Sequence, residues 1–170
     1  MQANQNKSQA QKALNHTRFI ADEYSKDRSG HVGALILGQD WEPLSWGYNG
    51  FPRGINDTVE ERHERPAKYL WTEHAERNAI FNAARSGHKL LGSSIFVTGL
   101  APCSNCARAI IQAGISNVYL PASSVNFESE SAKRWQAEWE FAKPMLEEAG
   151  VVIHIVDEET PIHKPDTNLV

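Results

Sequence analysis

Two short motifs, His74-Ala-Glu76 and Pro102-Cys-Ser-Asn-Cys106, constrain this chain more than anything else in it, because each opens a segment of helical period. Cysteines at i and i+3 face the same side of a helix, so Cys103 and Cys106 can grip one ion while Ser104 and Asn105 point elsewhere. His74, from a neighbouring helix, completes three protein ligands. Three ligands leave one tetrahedral position open, which separates a catalytic zinc from a structural one. A helix N-terminus favours thiolate over thiol, so the predicted helix start at Pro102-Cys103 suits the cysteines. Glu76, two residues from His74, points away from the ligand direction yet stays within the same turn, a geometry for a general acid and base.

A lone Cys-x-x-Cys also fits a redox pair or half of a structural zinc site. The His-x-Glu triplet and the proline before Cys103 favour the catalytic reading, and the chain has no third cysteine to close a structural site. One zinc per chain is expected. His31, His63, His88, His154 and His163 read as surface or satisfied core histidines.

The 170 residues, 41% of them hydrophobic, suffice for one domain with a real core, expected over about 8–157 between a polar N-terminus and a polar tail from Glu158. The first residues have no apolar run of the kind a secretory leader or membrane span requires, and the two cysteines are too close for an ordinary crosslink. A cytoplasmic protein without a membrane partner is expected. The net charge of -4, without a basic block, argues against a polynucleotide ligand.

Apolar spacing predicts a helix over about Ser8 to Ser25, strands at 31–37 and 43–48 joined by a turn at Gln39-Asp40, and a long loop over 49–67 with one helical turn near Val59 to His63. Thr72 is the expected N-cap of a helix that Gly87 ends, which puts His74 and Glu76 in its first turn. Strands at 94–98, 116–120 and 151–156 alternate with a helix from Pro102-Cys103 to Gly114 and one over 132–149, interrupted near Pro144. The result is a mixed α/β layer structure. Trp135 and Trp139, four apart, are expected to bury that last helix in the core.

The pattern His-x-Glu…Pro-Cys-x-x-Cys is the signature of zinc-dependent base deaminases. With it, Ser25-Lys-Asp-Arg-Ser-Gly-His-Val-Gly-Ala34, Gly47-Tyr-Asn-Gly-Phe-Pro-Arg-Gly54, His74-Ala-Glu-Arg-Asn-Ala-Ile80 and Ala107-Arg-Ala-Ile-Ile-Gln-Ala-Gly114 stand in the order found in one family. Over about Ser25 to Val156 the chain resembles the cytidine and deoxycytidylate deaminases, and within them the deoxycytidylate (dCMP) deaminases. The resemblance implies a three-layer α/β/α sandwich around a five-stranded mixed sheet, a homo-oligomer, and hydrolysis of dCMP to dUMP with release of ammonia. It also implies that the Ala75 N–H meets the pyrimidine carbonyl, that Asn49 contacts the sugar, that Val32 and Ala34 border the base, and that dCTP and dTTP act as effectors in relatives.

Arg28 is the candidate for the 5′-phosphate, since a guanidinium makes paired charge-assisted bonds and this one precedes the strand expected beside the base. Arg53 is a second candidate. Tyr69 and Trp71, just before the catalytic helix, either stack on a base or pack in the core. The stretch Val97-Thr-Gly-Leu-Ala-Pro102 is one residue longer than usual in the family, which keeps open a deaminase of another small amino-substituted base, nucleoside or heterocycle. A nucleic-acid-editing enzyme is the remaining, less favoured alternative.

Overall fold

The structure, a computed structural model, describes residues 2–157, so the tail from Glu158 lies outside the described residues. Its elements run α1 (Gln2–Tyr24), β1 (Gly33–Leu37), β2 (Pro43–Tyr48), α2 (Lys68–Trp71), α3 (Ala75–Ser86), β3 (Ser94–Thr98), α4 (Ser104–Gln112), β4 (Asn117–Pro121), α5 (Glu130–Glu148) and β5 (Val152–Val156). The five strands form one sheet in the order β2-β1-β3-β4-β5. β1 pairs antiparallel with β2 and β3, while β3, β4 and β5 are parallel, so the sheet is mixed as expected.

Alternation within the strands builds two separate cores. Leu35, Leu37 and Phe96 pack against Ala10, Ala13 and Leu14 of α1 on one face. Ala34, Ile36, Ile95 and Val97 pack against Ala75, Ala79, Ala83 and Ile110 of α3 and α4 on the other, with Trp139 and Leu146 of α5 beyond them. The three-layer sandwich follows, and β1, covered on both faces, is buried throughout. Gly47 lets α3 lie unusually close to β2: a Cβ there would fall 2.4 Å from Ala79 N and 2.5 Å from Ala75 O.

The larger differences from the sequence reading lie at α1, α3 and α5. α1 begins at Gln2 rather than near Ser8. Thr72 does not cap α3; its N–H closes the short helix α2 on Lys68 O, and the N-cap of α3 is His74. The reason is a two-residue bridge in which Gly50 and Glu73 exchange backbone hydrogen bonds of 3.1 and 2.8 Å, forcing an extended break just before the helix. α5 starts at Glu130, capped by the Ser129 hydroxyl, and runs through Pro144 without interruption. Pro144 is exposed, and buried Trp139, Ala142 and Leu146 on the opposite face hold the helix across the missing N–H. The expected turn near Val59 to His63 is a 3-10 turn at Glu60–Arg62, and Gly87 ends α3 in the left-handed conformation.

Candidate active site

The N-termini of α3 and α4 meet outside the carboxyl end of β3, the crevice where open α/β sheets hold ligands. His74 is the N-cap of α3, and Glu76 lies in its first turn. Glu73 fixes the approach: its Oε1 accepts the His74 N–H at 2.8 Å and the Arg77 Nε–H at 2.7 Å. Cys103 is the N-cap of α4 and Cys106 lies in its first turn. His74 Nδ1 is 3.4 Å from Cys103 Sγ and 3.5 Å from Cys106 Sγ. Two ligands at about 2.3 Å (sulfur) and 2.0–2.1 Å (nitrogen) around tetrahedral zinc stand about 3.5 Å apart, so the donor set fits that ion. Among the described residues no other cluster of three such side chains is spaced to hold a metal.

The electrostatics suit a cation. Without metal, Cys103 is pulled down to about 4, first by the hydrogen bond from the Cys106 thiol and then, against burial, by His74. That same bond and burial push Cys106 upward, while the contact with Cys103 raises His74 to about 8. Glu76 is 3% exposed, and burial drives its carboxyl above the usual range, toward the proton-carrying form a general acid and base needs.

A cavity of about 270 Å³ opens over these groups. Val32, Asn49, Ala75 and Glu76 line it. Asn49 is spanned between loops: its Oδ1 accepts the Val32 N–H at 2.9 Å and the Ser25 hydroxyl at 2.6 Å, and its Nδ2 donates to Gly30 O at 2.8 Å. One Nδ2 hydrogen is left over for a ligand. Gly99, Leu100 and Ala101, from the lengthened segment, form part of the wall.

Other expected residues are elsewhere. Ala34 is fully buried in the core and does not line the cavity. Arg28 turns outward and pairs through both terminal nitrogens with Glu60, at 2.5 and 3.0 Å. Arg53 donates to Asn82 on the surface. Trp71 packs on Phe51 and under the Arg62 guanidinium, whereas Tyr69 is the aromatic that reaches the cavity.

Residues without a local signal line the cavity in their place. Arg65, Lys68, Arg134, His31 and Trp135 all line the cavity. Lys68 Nζ is buried and donates to Asp27 Oδ1 and Ser29 Oγ, both at 2.8 Å, which leaves one of its three hydrogens. Among the described residues Arg65 and Arg134 have no hydrogen-bonding or ionic partner. Trp135 does not enter the core as Trp139 does; its ring stands edge-on to His74 at 6.0 Å and to Tyr69 at 6.2 Å.

The chain matches the family model described as the cytidine and deoxycytidylate deaminase zinc-binding region over residues 7–122. It is 42% identical over 134 residues, 79% of this chain and 84% of the relative, to a protein of Aliivibrio fischeri called "Uncharacterized deaminase in luxG 3′ region". It is 35% identical over 118 residues to human deoxycytidylate deaminase, covering 66% of this chain and 65% of that protein's length. The dCMP deaminase of cyanophage S-TIM5, in complex with dCMP and dUMP, shares the fold with a TM-score of 0.64 at 24% identity, over 84% of this chain and 92% of that one. The motifs, the ligand spacing and these similarities together establish that the chain belongs to the cytidine and deoxycytidylate deaminase family of zinc-dependent hydrolytic enzymes.

Proposed function

We propose that this enzyme converts dCMP to dUMP and ammonia. The observation that carries the reading is the meeting, in one cavity, of His74, Cys103 and Glu76 with three cationic side chains, Arg65, Lys68 and Arg134. A nucleoside needs no such cations; a 5′-phosphate does. The likeness to human deoxycytidylate deaminase supports the same substrate.

In this mechanism His74, Cys103 and Cys106 hold zinc. When bound, the ion supplies Lewis-acid chemistry that makes a water nucleophilic near neutral pH. Glu76 takes a proton from the water as it adds to the amino-bearing carbon, returns it to the ring nitrogen, and carries another to the departing amine. The Ala75 N–H, at the start of α3, points its helix-end positive charge at the pyrimidine carbonyl. Asn49 gives its remaining amide hydrogen to the sugar, Val32 and Trp135 border the base, and Arg65 and Arg134 clasp the phosphate beside Lys68.

Ammonia release from dCMP, deoxycytidine, cytosine and unrelated amino-heterocycles tests this, with dCTP and dTTP added in parallel to read effector control. Turnover of dCMP with little from deoxycytidine is expected. Arg65→Ala or Arg134→Ala should lower kcat/KM for dCMP by about 10- to 100-fold, the worth of a charged hydrogen bond, and leave the deoxycytidine rate alone. Equal turnover of dCMP and deoxycytidine overturns the phosphate assignment. A second reading, a deaminase of another small ring, is favoured by the Gly99–Leu100–Ala101 wall; turnover of such a ring alone would select it.

The same reading has this chain self-associate. Its support is an aromatic cluster at the edge strand β2, where Phe19, Tyr24 and Trp46 are 58%, 46% and 42% exposed and Tyr24 and Trp46 touch at 5.1 Å. Light scattering should give an oligomer that Trp46→Glu disperses; a wild-type monomer at assay concentration excludes it. Among the described residues no helix is long and apolar enough to cross a membrane. Cytoplasmic residence, where thiols stay reduced, agrees with two unpaired cysteines and is checked by cell fractionation.

A further inference from the structure

The helix that carries both cysteines starts with a deficit. Its first N–H groups have no intrahelical acceptor, and side chains normally supply one. Here the N-cap is Cys103, whose sulfur faces His74 and does not serve the Ser104 N–H, and the first turn contains no acidic residue. A helix whose N-cap side chain is committed to a metal must be capped by something else.

That acceptor comes from α5. Glu138 Oε2 accepts the Ser104 backbone N–H at 3.1 Å and the Ser104 hydroxyl at 2.6 Å. The carboxylate therefore sits at the positive end of α4, bonded to the residue that follows Cys103. Glu138 is itself held in place, because its neighbour Trp139 is buried in the core with Ala142 and Leu146. It neither lines the cavity nor belongs to the cluster of donors spaced to hold a metal.

We infer that Glu138 is a positioning residue for the zinc centre: by capping α4 through Ser104 it fixes the direction in which Cys103 and Cys106 present their sulfurs. This rests on zinc binding by His74, Cys103 and Cys106, and makes a residue of the last helix part of the metal site's support. Such supporting contacts typically carry 10- to 100-fold in metal affinity.

The test is metal affinity rather than turnover. Zinc is titrated against a chromogenic chelator, and the cobalt-substituted protein's absorption, with its thiolate-to-cobalt and ligand-field bands, reports sulfur geometry. Glu138→Ala should weaken zinc by about 10- to 100-fold and shift the cobalt bands. Glu138→Gln, which keeps an acceptor oxygen, should restore most of the affinity, and Ser104→Ala, which keeps the backbone contact, should fall between. Glu140→Ala, which removes an exposed carboxylate from the same helix, should change nothing. If Glu138→Ala fails to fold, Ser104→Ala carries the test, since it removes the shorter of the two bonds. Wild-type affinity and cobalt spectra in Glu138→Ala, or in Ser104→Ala where the former is unfolded, overturn the inference. A wild-type protein that binds no zinc instead overturns the metal assignment beneath it.

Discussion

Glu76→Gln is expected to abolish ammonia release, lowering kcat by about 10⁴-fold, while the protein keeps one zinc. The substitution preserves size and one acceptor oxygen but cannot carry a proton between water, ring nitrogen and amine. Glu76 is 3% exposed in the cavity, and its burial raises its carboxyl above the usual carboxylate range. Among the cavity's other residues, Lys68 is committed to Asp27 and Ser29, and His74 to the metal. Kinetics beside zinc analysis of the same sample decide the matter. A variant that retains more than about a tenth of wild-type turnover with zinc bound would remove Glu76 from the role that general acid–base catalysis assigns it.

Cys106→Ser should show the complementary loss: zinc content falling from one per chain to near zero, turnover disappearing, and the fold weakening. Cys106 is fully buried at the start of α4, and serine offers zinc a far poorer donor at that place. An ion present at about a thousand times its Kd stabilises the folded state by about 4 kcal/mol, which for a domain of this size is about 10 °C in Tm. Adding a strong chelator to the wild type should reproduce most of that fall, whereas the variant's Tm should no longer respond to the chelator. Full zinc occupancy in the variant would show that another donor completes the site.

The candidate site was legible in the sequence because it is local. His74 and Glu76 share one turn, Cys103 and Cys106 another, and the apolar period marks both as helix starts, so the candidate ligand set, the carboxylate beside it and the five strands could be read before any tertiary contact. Boundaries were less legible where a contact distant in sequence overrode local preference. Thr72 has the right side chain for a cap, but the Gly50–Glu73 bridge ends α2 there and hands the N-cap to His74. Pro144 has the right chemistry to break a helix, but the buried face of α5 carries the helix past it.

The cations of the cavity show the limit most clearly. Arg28 stood in the expected place beside β1, yet the loop over 49–67 brings Glu60 against it and takes its guanidinium outward. Arg65 and Arg134, which bear no pattern of their own, arrive at the cavity because one lies near the end of that loop and the other rides on α5 as it crosses the site. Sequence by itself determined the family, the metal ligands and the layers, since these depend on residues a turn or a strand apart. Only the tertiary structure decided which charges remain unpaired in the cavity and which residue caps the cysteine helix, because ion pairing and capping across elements depend on where distant segments come to rest.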